Sequence, residues 1–195
     1  VTFTNKAAEE MRARVEALVG AVFLDGGLDA NATTGVGTTV LMAATLDVEK
    51  VGLLLARGAN PRTRGRSGVD AVTIAAGHPG TAPVLRVLFD AGAEPQAPSG
   101  VRVRRSPLVA AAMTGDLDTV RLLLDHGAPA TGEAVAEAVT FGHPDVVRAL
   151  AAAGGDVSGT ERTGINLLHW ATITNRAAVI PVLAAAGVPI DAVDD

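Results

Sequence analysis

Cysteine is absent from the 195 residues, which excludes disulfides, thiolate zinc sites, a cysteine nucleophile and covalent haem attachment. The same absence identifies no compartment, and cytoplasm and periplasm both stay open. No Gly-Lys dipeptide occurs, so the chain lacks a G-x-x-x-x-G-K-[ST] loop to cradle phosphates and cannot hydrolyse ATP as it stands. A G-x-S-x-G nucleophile elbow is also missing, and no acidic pair stands apart from the solvated faces, so no catalytic residue is assigned. No apolar run approaches the roughly 20 residues that span a bilayer, because charges, Gly or Pro interrupt each one; a membrane protein is excluded. Lysine is scarce, Lys6 and Lys50 being the only two among 16 basic residues, and the net charge of -5 gives no general attraction to nucleic acid. Four histidines, His78, His126, His143 and His169, follow the landmarks of a repeat rather than metal-ligand spacing, so neither metal nor cofactor is expected.

What is present is apolar residues, 48% of the chain, enough to bury a substantial core in one domain or one array with an appendage. A phrase recurs along it: Gly58-Ala59-Asn60-Pro61, Gly92-Ala93-Glu94-Pro95, Gly127-Ala128-Pro129, Gly154-Gly155-Asp156-Val157 and Gly187-Val188-Pro189-Ile190. Its leading glycines lie 34, 35, 27 and 33 residues apart, a period that signals stacked structural repeats. Each phrase follows apolar residues at helical spacing, as in Val51, Leu54 and Leu55 or Val120, Leu123 and Leu124, interleaved with charges. The Gly supplies the left-handed position that closes such a helix, and a Pro shortly afterwards forbids its continuation.

Upstream in each unit the pattern predicts a shorter helix: Val40 to Leu46, Ala71 to Gly77, Pro107 to Thr114, Ala134 to Phe141 and Leu167 to Thr174. Alanines such as Ala75, Ala76, Ala111 and Ala112 let paired helices approach closely, while Leu41, Leu108 and Leu168 fill the seam. One pair cannot bury its apolar faces alone, whereas a stack can. Asp47, Asp116, Asp118 and Asp145 fall near the starts of the second helices, where a carboxylate complements the helix dipole.

The stretch "SPLVAAAMTGDLDTVRLLLDHGA" at 106–128 resembles a full ankyrin repeat, with Ser106-Pro107-Leu108-Val109 standing for the family's Thr-Pro-Leu-His phrase. Asn166-Leu167-Leu168-His169 keeps the His, whose ring in that family hydrogen-bonds backbone between repeats, which implies a structural role for His169. Thr39-Val40-Leu41-Met42 and Asp70-Ala71-Val72-Thr73 lack the Pro, and the short interval before Gly154 implies that the fourth unit has lost most of its hairpin loop. The resemblance implies an all-α solenoid of about five helix-pair repeats over 39–195, its units running from 39 to 187. It further implies a non-catalytic module that binds a protein partner or another domain of its parent chain. The wording "LLLARGANPRTRGRSGVDAVTIAAGHPGTAPV" is similar to bacterial arrays that accompany c-type cytochrome domains, which adds the alternative of an accessory module of an exported cytochrome-like protein.

Residues 1–20, "VTFTNKAAEEMRARVEALVG", resemble instead motif Ia of superfamily 1 DNA helicases of the UvrD and Rep type. By that resemblance Phe3, Thr4 and Asn5 would contact single-stranded DNA, and the chain would be a helicase fragment without its ATP site. The same segment suits a capping helix over 1–22, since Ala7, Ala8, Met11, Val15, Leu18, Val19 and Val22 share one stripe. Residues 23–38, rich in Gly, Thr, Asp and Asn without periodicity, read as a flexible linker. With Val at its start and a repeat boundary at its end, the chain is expected to be a fragment, its last unit leaving Leu168, Val182 and Leu183 partly uncovered and prone to self-association.

Ankyrin arrays bind through hairpin tips and the inner face of the short helices. Two tips are basic, Arg62, Arg64 and Arg66 in one and Arg102, Arg104 and Arg105 in the next, which suits an acidic partner surface, since guanidinium forks pair with carboxylate or phosphate, and equally suits solvated loops in a composition that avoids Lys. On the short helices the surface positions fall on Ala43, Ile74, Ala110, Glu137 and Trp170, with Met113, Phe141 and Ile173 nearby. Trp170, the single Trp, and Phe141 are candidate anchors for a partner, and both also suit packing between repeats.

Overall fold

The computed structural model describes residues 29–95, 106–159 and 165–188. Ten helices run through them: α1 (Val40–Ala43), α2 (Val48–Ala56), α3 (Ala71–Ala76), α4 (Ala82–Asp90), α5 (Pro107–Thr114), α6 (Leu117–Asp125), α7 (Gly132–Phe141), α8 (Pro144–Ala152), α9 (Leu167–Ile173) and α10 (Ile180–Ala185). The described residues contain no strand, only two isolated antiparallel bridges, Thr33 with Thr39 and Arg64 with Asp70.

Each unit pairs a first helix with a second, named here short and long after the first three units, where their lengths differ in that sense. Side-chain oxygens start the short ones: Thr39 accepts from the Met42 amide, Asp70 from Thr73, Ser106 from Val109, Thr131 from Ala134 and Asn166 from Leu168. Each long helix ends in one device. Gly58, Gly92, Gly127, Gly154 and Gly187 all have positive φ, and the next amide returns to the carbonyl five residues back, as Ala59 to Leu54 (3.0 Å) and Ala128 to Leu123 (3.0 Å). The α1 helix is shorter than its pattern predicts because the Thr45 hydroxyl takes the Met42 carbonyl (3.0 Å) and the Ala44 amide is shared between Val40 and Leu41. The fourth unit connects α6 to α7 through 126–131 alone, the shortened loop expected from its interval.

Two layers result. The short helices stack α1, α3, α5, α7, α9, and the long ones stack α2, α4, α6, α8, α10. Between them the core is continuous, with Leu41, Val51, Leu88, Leu108, Leu123, Leu150 and Leu183 fully buried. Each such side chain contributes about 1.5–3 kcal/mol by leaving water. Ala75, Ala76, Ala111, Ala112, Ala138 and Ala171 are wholly enclosed, as close approach of the short helices requires.

Two expectations are corrected here. Residues 29–38 form a hydrogen-bonded loop rather than a linker. Gly37 donates to Thr34, the Arg66 amide to the Val36 carbonyl (3.2 Å), and the Asn31 side chain to the Gly58 carbonyl (3.0 Å) while accepting from the Asn60 amide (2.7 Å). Leu168, Val182 and Leu183 are buried rather than partly uncovered. Residues 1–22, read as capping helix or helicase motif, lie outside the described residues.

Candidate functional site

The first basic tip is tied into the scaffold. Arg64 forms an ion pair with Asp70 (2.6 Å), donates to the Gly68 carbonyl (3.0 Å) and leaves only 18% of its side chain exposed. Asp70 is the N-cap of α3, so the guanidinium braces a helix start and is not presented to a partner. Arg62 donates from Nε to the Gly92 carbonyl (2.6 Å) and faces Glu94 at 3.4 Å, joining one hairpin to the next while its side chain stays 62% exposed. Arg66 is exposed, and its side chain has no partner among the described residues. The second tip, with Arg102, Arg104 and Arg105, lies outside the described residues, as do Phe3, Thr4 and Asn5; within the first tip Arg62 and Arg66 are the exposed guanidiniums.

On the short-helix face, Leu46 just after α1, Phe141 at the end of α7 and Ile173 at the end of α9 are exposed by 63%, 42% and 67%. Ile74, Met113 and Trp170 are half-buried between them. The Trp170 indole N–H donates to the Thr140 hydroxyl of α7 (2.9 Å), because a half-buried Trp needs a partner for its one donor. Phe141 projects from the same helix with its ring parallel to that of His143, the centroids 6.5 Å apart. His169 is half-buried on α9.

The turns between paired helices carry a ladder that residue types alone do not reveal. Asp116 accepts from the Gly80 amide of the preceding turn (2.7 Å), His143 bonds the Met113 carbonyl (3.1 Å), and Arg176 donates to the Thr140 carbonyl (2.9 Å). Each follows a left-handed residue, Gly115, Gly142 or Asn175. That punctuation is the signal by which they could have been found.

Partial burial pushes the Asp116 carboxyl up, but the Gly80 amide, the Thr119 amide and hydroxyl and the Asp118 amide outweigh it and hold the group below the ordinary Asp value of 3.8. A carboxyl so depressed by folding adds stability above its unfolded pKa and loses it as pH falls through the folded one. Asp116→Asn is thus expected to cost about 1 kcal/mol at neutral pH and progressively less below about pH 4. Urea midpoints at pH 7 and pH 3 check this, and a constant difference between the two would rule out the carboxylate as the cause.

With this geometry in place, the known structures can be compared. The ankyrin repeat domain of human ASB11 superposes with a TM-score of 0.78 at 22% sequence identity, covering 94% of this chain and 84% of that one. The fold is an ankyrin-repeat array. A family model described as ankyrin repeats (3 copies) matches residues 99–161. No curated protein matches. Among the described residues of the array no group of three or more His, Asp or Glu is placed to hold a metal ion, and no helix is long and apolar enough to cross a membrane.

Proposed function

We propose that this ankyrin-repeat array is a non-catalytic scaffold that binds a protein partner, or another domain of its parent chain, across the short-helix face. The observation that carries the reading is the row of exposed apolar side chains Leu46, Phe141 and Ile173, with half-buried Ile74, Met113 and Trp170 filling the intervals. Large apolar groups held at fixed positions on a rigid helical face suit burial against a partner, and aromatic anchors dominate such interfaces. At the hairpin edge, exposed Arg66 offers a contact for an acidic group on the same partner.

The full chain, immobilised, is expected to retain a partner from a lysate of its source cells. The double variant Phe141→Ser and Ile173→Ser should weaken that capture at least about tenfold, as loss of two anchors implies. Arg86→Ser, on the exposed side of α4, serves as control and should leave it unchanged. Equal capture by all three proteins would place the binding surface elsewhere.

A further inference from the structure

Most carboxylates of this array have a visible structural task. Asp47, Asp70 and Asp116 cap helices, Glu49, Asp118, Glu133 and Asp145 lie in first turns, and Glu94 faces Arg62. Glu137 has none. It sits in the C-terminal half of α7, away from the end where the helix dipole favours negative charge, half-buried, with no ion pair or hydrogen bond among the described residues. Glu137, Thr140 and Phe141 are spaced i, i+3 and i+4, which puts them on one face of α7. The Trp170 indole is fastened to the middle one through Thr140 Oγ1 (2.9 Å), so a carboxylate, an indole and an exposed phenyl ring share one patch across the α7–α9 seam. Arg176, which follows α9, donates from Nε to the Thr140 carbonyl (2.9 Å) and forms no ion pair with Glu137 among the described residues.

We propose that this patch receives a cationic side chain, an arginine or lysine of the protein partner, with Glu137 supplying the countercharge and Trp170 and Phe141 the aromatic walls. A carboxylate with no cation beside it can pair with one that arrives, and the faces of Trp and Phe attract the same charge. The neighbouring short helices add half-buried Met113 and exposed Ile173, which favour apolar residues around that cation. The inference rests on the short-helix face being the binding face and adds what it selects.

The single Trp of the chain lies in the patch and reports occupancy directly. The full chain is titrated with a capped peptide carrying one arginine between leucines, and with its citrulline counterpart, which keeps the shape and removes the charge. Trp170 fluorescence is expected to respond to the arginine peptide at a concentration at least about fivefold lower, with the preference weakening as salt rises. Glu137→Gln should abolish the preference without altering the melting curve. Equal response to the two peptides, or a preference that survives Glu137→Gln, overturns the cation inference while leaving the face as a binding surface. No response to either peptide overturns the inference as well, and the serine double variant above then decides the wider reading independently.

Discussion

Gly115→Ala is expected to lower the stability of the array by about 2–4 kcal/mol, more than most single methyl additions. Two penalties combine at this position. Its φ is 76°, the left-handed region, where a side chain costs about 1–2 kcal/mol. A Cβ there would also overlap Nδ1 of His143, inside the imidazole that the next repeat lays over this turn. His143 cannot simply swing away, because its Nε2 is engaged by the Met113 carbonyl. The two penalties separate in a double-mutant cycle measured by urea unfolding. In a His143→Ala background, Gly115→Ala should cost only about 1 kcal/mol, the conformational part. If its cost is the same in both backgrounds, the packing of one turn on the next is not what the glycine serves.

The same turn shows why part of the fold is legible in the sequence and part is not. The glycines that end the long helices are readable because their task admits almost one residue type, so Gly58, Gly92, Gly127, Gly154 and Gly187 repeat visibly. The ties between repeats are made by Asp116, His143 and Arg176, three chemistries at one architectural position, since a carboxylate, an imidazole and a guanidinium can all reach the neighbouring turn's backbone. No search by residue type finds them. Residues 29–38 mislead for the opposite reason: the Gly, Thr, Asp and Asn that make a linker soluble also make tight loops, and composition cannot separate the two. Position can. The Asn31 amide bonds to the Asp29 side chain as the Arg62 amide does to Asn60 and Ser158 to Asp156, so the first loop is built like later ones.

The candidate site divides in a similar way. Arg64 looks like its neighbours Arg62 and Arg66 in sequence, and only the presence of a buried carboxylate at Asp70 distinguishes a brace from a binding group. Phe141 and Trp170 are recognisable as rare aromatics, but their roles part on one hydrogen bond, the one that seats Trp170 on α7 and leaves Phe141 projecting. Glu137 is plain in the sequence as a surface-facing position, and its importance comes from what does not surround it.

Asp70→Ala is the second substitution with a large expected effect, about 3 kcal/mol, because one side chain ends three interactions. Its Oδ1 accepts from the Thr73 amide (2.8 Å) and hydroxyl (2.7 Å), which starts α3, and its Oδ2 meets Arg64 at 2.6 Å. The carboxylate side chain is 4% exposed, so its loss takes the Asp70 countercharge from a guanidinium that is itself mostly covered, and that ion pair is the larger share of the cost. Asp70→Asn keeps an acceptor for Thr73 and removes only the charge, so it should cost about 1–2 kcal/mol. Asp70→Asn combined with Arg64→Met, which removes the cation of the pair, should recover part of that loss. Urea midpoints for the three proteins rank these contributions, and a double variant no better than Asp70→Asn alone would show that Arg64 does not depend on its countercharge. The effect reaches the hairpin edge as well. The Arg64–Asp70 bridge closes the loop that carries Arg66, whose amide holds Val36 of the preceding loop, so amide exchange at Arg66 should quicken in Asp70→Ala before the core exchanges. The edge that carries exposed Arg66 is thus held in register by the Arg64–Asp70 pair beside it.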